Sequence, residues 1–188
     1  MYIIRINKAK YEYEMHSLTK AFYPEEDVMV LSPESAVKDK AVLEMAPRLE
    51  IFFGDDRAKI RGEAGEREVL SERKDAFGAA LYQYFSELTG KKLPWGNLTG
   101  IRPTKIAMTM LEEGKGEEEI LNFLREKHFV SEEKARLGLD IAEREKELLS
   151  QIDYDNGYSL YIGIPFCPTT CLYCSFTSFP IVSWKKRV

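Results

Sequence analysis

The chain has no long hydrophobic run: nothing in it approaches the roughly 20 consecutive apolar residues that cross a bilayer. Nor is a secretory leader expected. The opening MYIIRINKAKYEYEM contains no basic start, apolar stretch and small-residue cleavage site in that order. Excess basic charge is missing too. The 27 Lys+Arg stand against 31 Asp+Glu, a net charge of -4, which is the wrong sign for a protein that works by neutralising phosphates. Histidine is scarce, with 2 residues, and no cysteine precedes Cys167. These absences describe a soluble cytoplasmic chain, with neither a membrane nor a nucleic acid expected as partner.

What is present suffices for a core. Of 188 residues, 44% are hydrophobic and 12% aromatic, too apolar for disorder. The length suits one ordinary domain, or a small domain plus a piece of another. MYIIRI at 1–6 predicts a strand, Tyr11–Phe22 a helix, and DVMVLSP at 27–33 a second buried strand. Residues 48–71 predict two or three short strands, turned at Asp55-Asp56 and at Glu63–Gly65. There Ala58, Ile60 and Gly62 alternate with Lys59 and Arg61. The period then changes. Ser71 is an N-cap candidate, Phe77, Leu81, Phe85 and Leu88 recur at helical spacing, and Gly90 is a natural stop. The expectation for 1–90 is a small α+β domain, a mostly antiparallel sheet with its helices on one face.

A turn-rich stretch follows at 91–105, then three predicted helices. They span 103–113, stopped by Gly114, then 116–127, and 131–149 with Ser131 as N-cap. In the last, Leu137, Ile141 and Leu148 form an apolar stripe, and Glu132/Arg136 and Asp140/Arg144 are i,i+4 pairs. YSLYIGI at 158–164 alternates, with Tyr158, Leu160, Ile162 and Ile164 on one face and Ser159, Tyr161 and Gly163 on the other. In a barrel of parallel strands the second set would face a lumen. Pro165 ends the strand, and a cysteine loop begins at its carboxyl end, where α/β folds carry chemistry.

That loop reads C-x3-C-x2-C: Cys167, Cys171 and Cys174. An odd number so closely spaced is a poor disulfide framework. Three thiolates can hold three irons of a 4Fe–4S cluster and leave the fourth open to a chelating ligand. Zinc is the alternative. Structural zinc takes four protein ligands, and neither His16 nor His128 lies near the loop in sequence. Ligand count and spacing favour iron–sulfur.

C-x3-C-x2-C with an aromatic before its last cysteine, here Tyr173, resembles the radical S-adenosylmethionine enzymes. The longer string YIGIPFCPTTCLYCSF at 161–176 resembles the oxygen-independent coproporphyrinogen III oxidases and their relatives. WGNLTGIRPTK at 95–105 looks like their HemZ-type, coproporphyrinogen dehydrogenase branch. The resemblance implies that Cys167, Cys171 and Cys174 hold the cluster, and that its open iron chelates S-adenosylmethionine. Tyr161 and Tyr173 match positions beside that cofactor. The lumen-facing placement of Tyr161 agrees independently.

The resemblance also implies a reaction. One electron from a donor cleaves the sulfonium, the adenosyl radical takes a hydrogen from a porphyrinogen propionate, and loss of carbon dioxide leaves a vinyl group. Gly163 and Ser175-Phe176 depart from the family pattern, which otherwise carries a histidine and Gly-Cys there, so substrate identity is open. The family includes haem-handling members without oxidase activity, and a non-catalytic module that positions substrate or a partner is the other functional class. No catalytic side chain is assigned.

The expected organisation is an α+β domain at 1–90, a helical connector at 91–150, and at 151–188 the first strand and cluster loop of a truncated radical S-adenosylmethionine (β/α) barrel. Such a chain is expected to be inactive alone, and to self-associate through the exposed strand. Smaller features read plainly. Phe77, Leu81 and Phe85 are core, and Asn97–Thr99 matches a glycosylation acceptor by coincidence. Lys185-Lys186-Arg187 starts a solvated helix. Arg102 and Lys105 either bind an anion at a helix N-terminus or belong to a turn that docks the helices.

Overall fold

A computed structural model describes residues 1–35, 40–70, 74–153, 156–158 and 160–184. The chain divides into two compact units, Met1–Leu148 and Leu149–Val188. Among the described residues no helix is long and apolar enough to cross a membrane. Ser71, Ser159 and Lys185–Arg187 lie outside the described residues.

The first unit is built on a five-stranded sheet with two long helices packed on one face. Its strands are β1 (Tyr2–Ile6), β2 (Val28–Leu31), β3 (Leu49–Phe53), β4 (Arg57–Gly62) and β5 (Gly65–Leu70), in the order β2-β1-β3-β4-β5. β3, β4 and β5 form an antiparallel meander, whose turns fall at 54–56 and 63–64. β1 pairs parallel with both β2 and β3, with Tyr2 opposite Val28 and Ile4 opposite Leu49. The sheet is therefore mixed where a mostly antiparallel one is expected. A helix follows β1, and a strand reached through a crossover returns parallel. Asn7 extends the β1–β3 pairing by one residue: its amide donates to Phe53 O (3.0 Å), and its Oδ1 accepts from Phe53 N–H (2.8 Å).

Period 2 sets the covered face. Ala58 and Ile60 are fully buried while Lys59 and Arg61 are exposed. Against this face lie α1 (Glu12–Phe22) and α3 (Lys74–Thr89), while α2 (Lys40–Glu44) is a short helix before β3. α1 buries Met15, Leu18, Thr19 and Phe22, the i, i+3, i+4, i+7 stripe of an amphipathic helix. α3 contributes Phe77, Leu81, Tyr84 and Phe85 to the same core. Gly62 is a glycine for a local reason. A Cβ there would lie 2.5 Å from the Tyr84 hydroxyl, which accepts the Ala64 N–H at 3.0 Å.

Arg48 closes one end of the sheet. It donates to Glu26 at 2.7 Å and Glu63 at 2.8 Å, with its guanidinium 4.2 Å from the centre of the Tyr2 ring. Burial raises the Tyr2 and Tyr23 hydroxyl pKa values. The hydrogen bond from Arg48 holds the Glu26 carboxyl below its ordinary value. Arg48→Met is expected to cost about 1–2 kcal/mol, from two partly exposed ion pairs and cation–π contacts with Tyr2 and Tyr23. A carboxyl with a depressed folded pKa stabilises fully above its unfolded pKa, and that contribution fades as pH falls through the folded one. Urea titrations of both proteins should therefore show the gap narrowing below about pH 4.

The helical part of this unit comprises α4 (Thr104–Glu112), α5 (Glu117–Asn122), a π turn at Phe123–Lys127, and α6 (Glu132–Leu149). Ser131 caps α6 through the Lys134 N–H at 3.3 Å. The buried stripe of α6 is Ala135, Gly138, Leu139 and Ala142, whereas the expected Leu137, Ile141 and Leu148 are exposed. Small residues let neighbouring groups approach closely: a Cβ on Gly138 would touch the Trp95 ring at 3.7 Å. The Glu132–Arg136 pair forms at 2.7 Å, whereas no ion pair joins Asp140 and Arg144 among the described residues.

The 95–105 string is the joint between sheet and helices. Asn97 N–H donates to His128 O at 3.0 Å, Ser131 N–H donates to Pro94 O at 2.9 Å, and Asn97 Oδ1 lies 3.0 Å from His128 Nδ1. Phe129 stacks on Tyr82, with ring centres 4.9 Å apart. Phe129 has φ 58, a left-handed conformation unusual for a bulky residue and held here by that stack and by the backbone bonds around it.

Candidate metal centre

In the second unit, two aromatic anchors fix the ends of the cysteine loop. β6 (Phe166–Cys167) pairs in parallel with β7 (Phe179–Pro180), so Phe166 faces Phe179 and Cys167 faces Pro180. Phe179 N–H donates to Pro165 O at 2.7 Å. The rings of Phe166 and Phe179 both pack on Trp184, with centres 5.7 and 5.6 Å apart. All three cysteines lie on or between these anchors. Neither the anchors nor Trp184 is singled out by sequence reasoning. The signal was the aromatic spacing on either side of the cysteines, Phe166 before them and Phe179 and Trp184 after them.

Within the loop, Cys174 N–H donates to Cys171 O at 3.0 Å. This i to i+3 turn brackets Leu172 and Tyr173. All three thiols are free, with Cys167 and Cys174 half-buried and Cys171 exposed. Cys174 Sγ lies 3.9 Å from Phe176 O. Among the described residues, no group of three or more His, Cys, Asp or Glu is gathered closely enough to hold a metal ion. The donor types nevertheless suit a cluster: three thiols on one loop, none engaged in a disulfide.

Tyr161 and Tyr173 are exposed, at 85% and 91%. Tyr161 folds over its own neighbour, its ring 3.1 Å from where a Gly163 Cβ would be. The expected strand at 158–164 does not form. The described residues there have no ladder partner, and Tyr158, Leu160, Ile162 and Ile164 are all exposed. Alternation sets which face a side chain occupies, but a strand exists only with a neighbour to take its hydrogen bonds.

No family model matches the chain, and no solved structure matches it. Among curated proteins it is similar to the oxygen-independent coproporphyrinogen-III oxidase-like protein HemZ of Bacillus subtilis (strain 168). The two are 33% identical over 124 residues, which cover 65% of this chain and 25% of that protein. The chain thus spans about a quarter of the length of the curated relative that it matches.

Proposed function

We propose that this chain carries the cluster-binding loop of a radical S-adenosylmethionine oxidoreductase. Its substrate would be a porphyrinogen carboxylate, with oxidative decarboxylation of coproporphyrinogen III to protoporphyrinogen IX as the reaction in a full-length protein. The observation that carries this reading is the free three-thiol loop held at its ends by Phe166, Phe179 and Trp184. The similarity to HemZ supports it. Cys167, Cys171 and Cys174 would hold a 4Fe–4S cluster through three irons. When bound together with S-adenosylmethionine, that group supplies one-electron cleavage of the sulfonium, driven by an external donor. The chain's own residues do the positioning. The aromatic anchors fix where the loop starts and ends, Tyr173 sits between two of the ligands, and Tyr161 precedes the loop on the segment that leads into it.

A second reading is a non-catalytic module, or a haem-handling relative, in which the loop stays metal-free. The ungathered thiols favour it.

Anaerobic reconstitution with iron and sulfide separates the two. Wild type is expected to gain sulfide-to-iron charge-transfer absorbance with about four irons per chain, and Cys171→Ala to lose it. Phe179→Ala should lower the yield, because it frees one end of the loop. Stoichiometric zinc without iron uptake, or equal iron binding by Cys171→Ala, would rule out the cluster.

A further inference from the structure

The outer side of α4 forms an open groove of about 630 Å³, within the roughly 300–1,000 Å³ typical of ligand pockets. It is built on one stripe of the helix. Thr104, Ala107 and Met108 turn into the protein, while Ile106 and Met110 line the groove half-buried. Ile101 from the preceding turn and Phe123 from the π turn complete the apolar wall, and both are exposed, at 54% and 38%.

The charges at its two ends differ. At the far end Lys115 is tied to Glu119 at 2.8 Å, and Glu113 lines the groove beside them. At the near end stand Arg102 and Lys105, both exposed. Neither makes an ion pair among the described residues, whereas Arg48, Arg57, Arg61, Arg67, Arg125 and Arg136 are each tied to a glutamate. An apolar wall ending in two uncompensated cations complements a ligand with an apolar body and an anionic end. Arginine and lysine together suit a carboxylate, one as a planar fork and the other as a point charge.

The geometry points to a binding site for a small amphipathic carboxylate. Its apolar body lies along Ile106 and Met110, and its carboxylate sits between Arg102 and Lys105. The site needs neither the cysteine loop nor a cluster, so it stands or falls independently of the proposed function.

The test uses the 188-residue chain and two fluorescent probes of the same apolar body, anionic pyrenebutyrate and neutral pyrenebutanol, followed by fluorescence anisotropy. Pyrenebutyrate is expected to bind about tenfold or more tightly than pyrenebutanol, and to weaken as salt is raised. The Arg102→Gln/Lys105→Gln double variant changes only exposed side chains. It should lose that preference while its thermal melt stays unchanged. Ile101→Asp, also at an exposed position, places a like charge beside the carboxylate and should weaken pyrenebutyrate by about tenfold more than pyrenebutanol. Equal affinity of the wild type for both probes overturns the site. So does a double variant that binds pyrenebutyrate as the wild type does.

Discussion

Replacing Gly96 with alanine is expected to destabilise the first unit by about 2–5 kcal/mol, far more than a surface glycine should cost. Two penalties add. Gly96 has φ +57, and an L side chain in that region costs about 1–2 kcal/mol. The new Cβ would also lie 2.6 Å from Phe129 C and 2.8 Å from His128 C, and nearer still to the His128 carbonyl oxygen. These are backbone atoms and cannot rotate away, so overpacking adds about 1–3 kcal/mol. The clash falls where Asn97 N–H and Ser131 N–H bind the facing chain, so the loss should be local before it is global. Hydrogen exchange should quicken first around 128–131 and in α6, with the sheet protected longer. Gly114→Ala is the control. Its φ is +81, but a Cβ there meets nothing within 4 Å, so only the conformational cost of about 1–2 kcal/mol remains. Equal urea midpoints for the two variants would mean that the 95–105 string does not hold sheet and helices together.

The same string shows what can be read without coordinates. Its glycines and prolines mark a turn, but nothing in WGNLTGIRPTK names His128–Ser131 as its partner, because the contact is long-range and largely through backbone atoms. Local pattern was legible wherever one face of an element is buried. The alternation of Ala58 and Ile60 with Lys59 and Arg61, and the helical spacing of Phe77, Leu81 and Phe85, both correspond to buried faces. The parallel pairing of β1 was not legible, since periodicity carries no information about which strand lies alongside. On α6 the larger apolar residues drew attention, yet Ala135, Leu139 and Ala142 are buried, because closeness of approach outweighed side-chain size. In the cysteine loop the three thiols and their C-x3-C-x2-C spacing are read directly from the sequence, and the structure leaves none of them in a disulfide. The facing of the aromatic anchors depends on pairing between β6 and β7, which spacing does not encode.

Phe85→Ala should be the most damaging single truncation in the sheet domain, at about 3–5 kcal/mol. Phe85 is fully buried, and its ring centre lies 6.1 Å from Tyr2, 5.4 Å from Phe22, 6.0 Å from Tyr23 and 5.8 Å from Tyr84. Removing it opens a cavity between rings on three elements, β1, α1 and α3, and the chain just after α1. Rigid aromatics refill such a space poorly. It also removes edge-to-face and tilted contacts worth about 0.5–1.5 kcal/mol per pair beyond area. Phe85→Leu keeps most of the volume and should cost well under half as much. Leu88→Ala, one turn on and only partly buried, should cost less than Phe85→Ala. The damage should also reach the joint. Phe22 touches Tyr82, whose ring carries Phe129 and whose hydroxyl accepts the Leu93 N–H at 3.1 Å. If this aromatic chain makes Met1–Leu148 one cooperative unit, far-ultraviolet dichroism and hydrogen exchange in α6 should report the same lowered urea midpoint in Phe85→Ala. Helical protection that survives after the sheet has melted would show that 104–148 folds without the core, and that the joint joins two independent parts.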